Sequence, residues 1–177
     1  IQFKTWMMRI NDIEQFFEGN VQKKSLTDIS FDKINKISVV SSTKEVFDFD
    51  TIVDDTDINE GTKEKIKTSD TIYFKDGKVI FVEFKRGRIS ETDFRLKATE
   101  SIASFYNYIF EKGFKENLCF PSDLFQIYVV YDKRNTSLAG RLPFFRNTER
   151  KLQLKYKHLF SKYQVIDNDK FQRIFKI

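Results

Sequence analysis

Ser69-Asp70-Thr71-Ile72-Tyr73-Phe74-Lys75-Asp76-Gly77-Lys78-Val79-Ile80-Phe81-Val82-Glu83-Phe84-Lys85 is the stretch whose reading decides the fold. Two runs rich in β-branched and aromatic residues flank an Asp-Gly pair, the strongest short-range signal for a β-hairpin with a two-residue turn. Counting outward from that turn pairs Lys75 with Lys78, Phe74 with Val79 and finally Asp70 with Glu83. Directly opposed residues share a sheet face, with Cβ atoms about 4.5–5.5 Å apart, so this register sets two carboxylates side by side. Lys85, two positions beyond Glu83, projects to the same face.

Opposed like charges on a sheet are unfavourable unless water, a neighbouring cation, a raised proton affinity or a metal compensates them. A divalent cation such as Mg²⁺ relieves the repulsion and also supplies chemistry, since it prefers oxygen ligands and retains water. Lys85 is then placed to orient an attacking water or to stabilise charge building on a phosphate. A Glu-X-Lys triplet also arises by chance in a lysine-rich chain, and alternating charges decorate exposed sheet faces. The weight therefore rests on whether the surrounding elements agree.

Upstream, Phe3, Trp6, Met7, Ile10, Ile13 and Phe17 recur at helical spacing and predict an amphipathic helix ending near Gly19-Asn20. Ile37 to Val40 and Val46 to Phe49 are short strand candidates, and Asp54-Asp55-Thr56-Asp57 reads as a solvated acidic loop lacking the EF-hand glycine and glutamate. Downstream, residues 91–112 predict a second helix with Phe94, Ala98, Ile102, Phe105 and Ile109 on one face and Gly113 as its stop. Residues 124–131, Leu-Phe-Gln-Ile-Tyr-Val-Val-Tyr, suit a strand buried on both faces. Residues 137–146 read as a loop containing Gly140 and Pro143, residues 148–160 as a lysine-rich helix, and residues 163–166 as a last strand before a short final helix.

The whole chain narrows the chemistry. Its 177 residues fit one α/β domain, with a core over about residues 1–132 and a C-terminal α/β elaboration over about 133–177. The single cysteine, Cys119, excludes an internal disulfide and a cysteine cluster. The single histidine, His158, lies in a basic segment and reads as a surface residue. Zinc chemistry, histidine-triad hydrolysis and cysteine-protease chemistry drop out, leaving Asp, Glu and Lys. No apolar run reaches the roughly 20 residues of a membrane span, and no signal-peptide pattern opens the chain, so a cytoplasmic location without membrane partners is expected. A net charge of +5 favours a polyanionic partner, although AT-rich genomes also yield lysine-rich proteins.

Ser69-Asp70, the hairpin and Glu83-Phe84-Lys85 together resemble the motif of the PD-(D/E)XK (restriction-endonuclease-like) nuclease superfamily. The α-β-β-β-α-β order expected over residues 1–132 resembles its common core, a mixed central sheet flanked by helices. The resemblance implies that Asp70 and Glu83 bind Mg²⁺ or Mn²⁺, that the Phe84 backbone carbonyl joins them, and that Lys85 is catalytic. Ser69 stands where the motif has proline. Many members place a glutamate on the first helix, and Glu14 is a candidate on independent grounds: at about 100° per residue it falls among Phe3, Met7, Ile10 and Phe17. A Glu14 reaching the helix edge or pairing with a lysine explains the position equally well, and Glu18 is a weaker alternative.

On the following helix RecB-like members carry Gln and Tyr where this chain has Ser101 and Phe105, which argues against that subtype. Lys97 flanks the apolar face, where a helix lysine in viral cap-snatching endonucleases of this core reaches phosphate; a solvated lysine is the plainer reading. Arg86, Arg88 and Arg95 are candidates for positioning nucleic-acid backbone, with surface solubility as the alternative. The resemblance implies a metal-dependent endonuclease. Family base rates favour DNA over RNA, with an RNA endonuclease or a non-catalytic binding domain on the same fold as alternatives. A homodimer is compatible with the sequence, which does not fix the oligomeric state.

Overall fold

The computed structural model describes residues 2–53, 66–87, 90–114, 124–135, 137 and 140–177, with side chains from residue 10 onward. The Asp-Gly pair forms the turn it predicts. Asp76 (φ +53°) and Gly77 (φ +68°) both occupy the left-handed region that a type I′ hairpin turn requires, and Asp and Gly tolerate it. The turn fixes strands β5 (Thr71–Lys75) and β6 (Lys78–Lys85) in the counted register, from Lys75 opposite Lys78 to Thr71 opposite Val82.

Before the hairpin come α1 (Gln2–Asn20), β1 (Lys23–Ser25), α2 (Leu26–Ile29), β2 (Phe31–Asp32), β3 (Ile37–Ser38), β4 (Glu45–Asp48) and a 3-10 turn (Phe49–Ile52). After it come α3 (Glu91–Glu111), β7 (Phe125–Tyr131), α4 (Leu142–Lys155), β8 (Phe160–Asp167) and α5 (Asn168–Phe175). Six strands form one mixed sheet in the order β1-β4-β5-β6-β7-β8, antiparallel as far as β6 and parallel from β6 to β8. Helices cover both faces, giving a mixed α/β architecture.

The pleat of β6 divides the interior into two cores. Val79 and Phe81 join Ile13, Phe17, Phe94, Phe105 and Leu152 beneath α1, α3 and α4. Ile80, Val82 and Phe84 join Leu26, Val130, Phe171 and Phe175 on the opposite face beneath α5. Continuing the first face of β6 by two and four residues from Phe81 leads to Glu83 and Lys85, so a charged pair ends an otherwise apolar row. Ser90 caps α3 by accepting a hydrogen bond from the Asp93 amide, and Gly113 (φ +100°) turns the chain after its end.

Several expectations need correcting. Residues 37–40 supply only the two-residue β3, which pairs with β2 in a separate ribbon rather than entering the main sheet. The helix expected over residues 148–160 begins at Leu142 and ends at Lys155, and the loop expected over residues 137–146 is correspondingly shorter. Pro143 was the misleading signal: in the first turn of a helix its missing N–H leaves no intrahelical bond unmade. The last strand is longer than residues 163–166, running from Phe160 to Asp167 beside β7. No helix among the described residues is long and apolar enough to cross a membrane. His158 is exposed, as expected. Cys119, residues 54–57 and Arg88 lie outside the described residues, as do the side chains of Phe3, Trp6 and Met7.

Candidate active site

Asp70 directly precedes β5, where the segment 66–69 enters the sheet beside α3. Its position is fixed by bonds on every side. The Ser69 amide donates to Ser101 Oγ (2.8 Å), whose hydroxyl donates to Ser69 Oγ (2.9 Å). The Thr68 hydroxyl donates to Asp50, and the Lys67 amide donates to Glu100 on α3. The Phe49 amide donates to the Asp70 carbonyl (3.2 Å), and the Phe84 amide donates to Asp70 Oδ2 (2.6 Å). Ser69 thus ties the segment before β5 to α3 through Ser101.

Four charged groups meet here. Glu83, with 2% of its side chain exposed, receives Lys85 Nζ at 2.7 Å on Oε1 and Lys97 Nζ at 3.0 Å on Oε2. Lys97 Nζ also lies 4.0 Å from Asp70 Oδ1 and donates to the Thr68 carbonyl (2.5 Å). The register, the shared lysine and the Phe84–Asp70 bond put Asp70, Glu83, Lys85 and Lys97 on one side of the sheet. Two carboxyl groups, of Asp70 and Glu83, thus face two ammonium groups. The ammonium of Lys97 points between the carboxylates, held there by the Thr68 carbonyl.

Compensation is incomplete. Glu83 Oε2 is buried and, despite the nearby Lys97, accepts no hydrogen bond of adequate geometry. Burial and the adjacent Glu83 push the Asp70 carboxyl well above its usual range, outweighing Lys97, the Phe84 amide and Lys85. Burial works against the charged forms of Lys85 and Lys97, yet Glu83 above all, with Asp70, holds both ammonium groups above the ordinary lysine value. The arrangement keeps the lysines charged and leaves the carboxylates under mutual strain.

The other sequence candidates separate. Glu14 is not brought to this cluster; its charged neighbours are Glu18 and Lys23, and burial raises its proton affinity. Arg86 turns to the fully buried Asp132, which also receives Arg134 Nε at 2.8 Å, so its guanidinium serves a structural joint. Arg95 is exposed on α3. The ladder alternation turns the Phe84 N–H and C=O toward the β5 side, where Asp70 lies. Sequence reading missed Asp50 and Asp132, and named Ser101 without foreseeing its bonds to Ser69. Each is a lone polar residue at the end or on the face of an apolar element; Asp132, directly after a buried strand, gave the clearest signal.

Among the described residues no group of three or more His, Cys, Asp or Glu side chains is assembled to hold a metal ion. The donors present fit a hard cation that keeps several waters and takes one or two carboxylates, as Mg²⁺ and Mn²⁺ sites do. Glu83 Oε2, whose 3.0 Å contact with Lys97 lacks good hydrogen-bond geometry, and the repelled Asp70 carboxyl are the atoms such a cation would satisfy. Beside Asp70 opens a cleft of about 460 Å³ whose other walls include Lys24, Asp48, Asp50, Phe31 and Lys33. Comparison of the chain with protein-family models, curated proteins and solved structures gives no match.

Proposed function

We propose that the chain is a metal-dependent phosphodiesterase of the PD-(D/E)XK kind, an endonuclease with DNA as its first substrate class and RNA as the second. The carrying observation is the convergence of Asp70, Glu83 and Lys85 with Lys97, which sets two carboxyl groups side by side between two ammonium groups. Read without its short intervening segments, the order α1, β4, β5, β6, α3, β7 also supports the superfamily reading.

Asp70 and Glu83, with the Phe84 carbonyl, would hold Mg²⁺ or Mn²⁺. Such an ion supplies Lewis acidity toward a phosphoryl oxygen and lowers the pKa of bound water. Lys85 remains protonated near neutral pH and sits on the rigid end of β6, where its ammonium can steady the attacking water or the charge gathering on the phosphate. Lys97 reaches the carboxylates from α3 and offers a second ammonium to the same phosphate. Ser101 and Ser69 keep Asp70 aimed, a positioning role.

Cleavage of labelled single- and double-stranded DNA and RNA in Mg²⁺, Mn²⁺ or EDTA tests this reading. Wild type should cut at least one substrate in a metal-dependent way, and Lys85→Ala and Asp70→Ala should not. No cutting by wild type, or equal cutting by both variants, sinks the proposal.

A further inference from the structure

The cleft beside Asp70 has one wall that the proposed cutting chemistry does not use. Its carboxylates are engaged: Lys24 Nζ lies 2.5 Å from Asp48 Oδ2, the Ser25 hydroxyl donates to Asp28 (2.6 Å), and Thr68 donates to Asp50. Phe31 and Lys33 on the β2–β3 ribbon differ. Phe31 is 46% exposed and makes no ring contact among the described residues, and exposed Lys33 makes no ion pair among them. Their ribbon is nevertheless fixed. Asp32 accepts bonds from the Ile34 and Asn35 amides (2.9 and 3.1 Å), and Arg134 Nη2 donates to the Ser38 carbonyl (2.5 Å). Among the described residues, an uncovered aromatic ring and an unpaired cation are therefore presented to the cleft from an ordered support.

We propose that this wall is a subsite for one unpaired nucleotide of a single-stranded nucleic acid, its base against Phe31 and its phosphate at Lys33, leading the strand to Asp70. The proposal rests on reading the Asp70–Glu83 centre as phosphodiester-cleaving, and it names the substrate form. Base–aromatic stacking needs an exposed π face and tolerates any base, and lysine supplies the phosphate contact. A base inside a duplex has both faces stacked on its neighbours and cannot also cover Phe31. The cleft volume, near the lower end of the about 300–1,000 Å³ usual for small-molecule sites, suits one nucleotide and not a duplex.

The test is fluorescence anisotropy in EDTA with short labelled single strands of DNA and of RNA, and with blunt duplexes of both. Phe31→Ala should weaken single-strand binding by roughly 5- to 150-fold, while Phe31→Trp restores it. Lys33→Ala should weaken it and reduce the slope of log K against log salt by about 0.7. Duplex binding should change little in every variant, and the DNA and RNA arms show which single strand is preferred. Both side chains are exposed, and melting curves confirm that the variants fold.

Unchanged binding by Phe31→Ala and Lys33→Ala, equal losses on duplex, or no single-strand binding by wild type overturns the subsite. Wild-type cutting with unchanged variant binding would leave the phosphodiesterase reading standing without the subsite. Single-strand binding that depends on both residues, without cutting in Mg²⁺ or Mn²⁺, would uphold the subsite and sink that reading.

Discussion

At the end of β7 the Asp132 carboxylate, 0% exposed, accepts hydrogen bonds from Arg86, from Arg134 Nε (2.8 Å) and Nη2 (3.0 Å), and from the Arg134 amide (3.0 Å). On the neighbouring strand, where Lys85 pairs with Tyr131, Glu83 is nearly as buried and holds two lysines, yet the Lys97 contact on Oε2, 3.0 Å long, lacks good hydrogen-bond geometry. Burial opposes ionisation in both places. At Asp132 the Arg134 hydrogen bonds, with Arg86, win and hold the carboxyl below its usual range; at Asp70 burial and Glu83 win and push it up. One cluster matches two guanidinium groups to one carboxylate, the other sets two carboxylates together with ammonium groups that offer less directional bonding. The first is complete as a joint of the fold. The second has capacity left for a ligand.

The largest effect expected from this contrast is on cleavage. Lys85→Ala and Asp70→Ala should each lower the rate by about 10²–10⁴-fold with the fold retained by circular dichroism. Arg134→Ala should leave the rate per folded molecule within a few fold while lowering Tm. Should Arg134→Ala abolish cutting in fully folded protein, the two clusters form one functional unit and the contrast breaks.

Stability should respond in the opposite order. Asp132→Asn leaves two arginines facing a neutral amide. Breaking a buried pair costs about 3–5 kcal/mol, and the 45% exposure of the Arg134 side chain, which lets water replace the lost partner, places the loss at or below the low end. Glu83→Gln should cost less than half as much, because it removes the repulsion with Asp70 along with two ion pairs. Urea unfolding of both variants without divalent cation gives the comparison, and a larger loss for Glu83→Gln would show that its cluster is a structural joint after all.

The unequal legibility of these clusters follows from the range of their contacts. Asp70, Glu83 and Lys85 were readable together because a two-residue turn converts sequence separation directly into cross-strand pairing. Lys97 was visible only as a lysine at the edge of an apolar stripe, since its reach to Glu83 depends on how α3 lies across the sheet. For Glu14, helical periodicity reports a position near the buried face but not which charges surround it; those acting on it are Glu18 on its own helix and Lys23. In the Arg86–Asp132–Arg134 joint, Arg86 and Asp132 lie 46 residues apart, and no local pattern encodes that pairing. The β2–β3 ribbon was partly missed because two-residue strands carry too little alternation to be read.

The smallest expected effect concerns protonation at Asp70. A carboxyl whose folded-state pKa is raised binds its proton more tightly folded than unfolded. Below the ordinary carboxylate value of about 3.9 both states are protonated and nothing is lost. As pH climbs above that value the unfolded chain ionises first, so stability falls until the raised folded pKa is passed and then levels off. Lys85 and Lys97 do not confuse this window, because both stay charged to beyond about pH 10. Metal-free Asp70→Asn should therefore melt above wild type at neutral pH and lose that advantage on acidification. A divalent cation, which requires the ionised carboxylate, should raise the wild-type Tm more at higher pH and leave Asp70→Asn unmoved. For a chain of this length each kcal/mol shifts Tm by about 2–4 °C, within reach of scanning calorimetry. A wild-type profile parallel to that of Asp70→Asn across this range would show that neither burial nor Glu83 raises the Asp70 carboxyl, and the contrast with Asp132 would lose its basis.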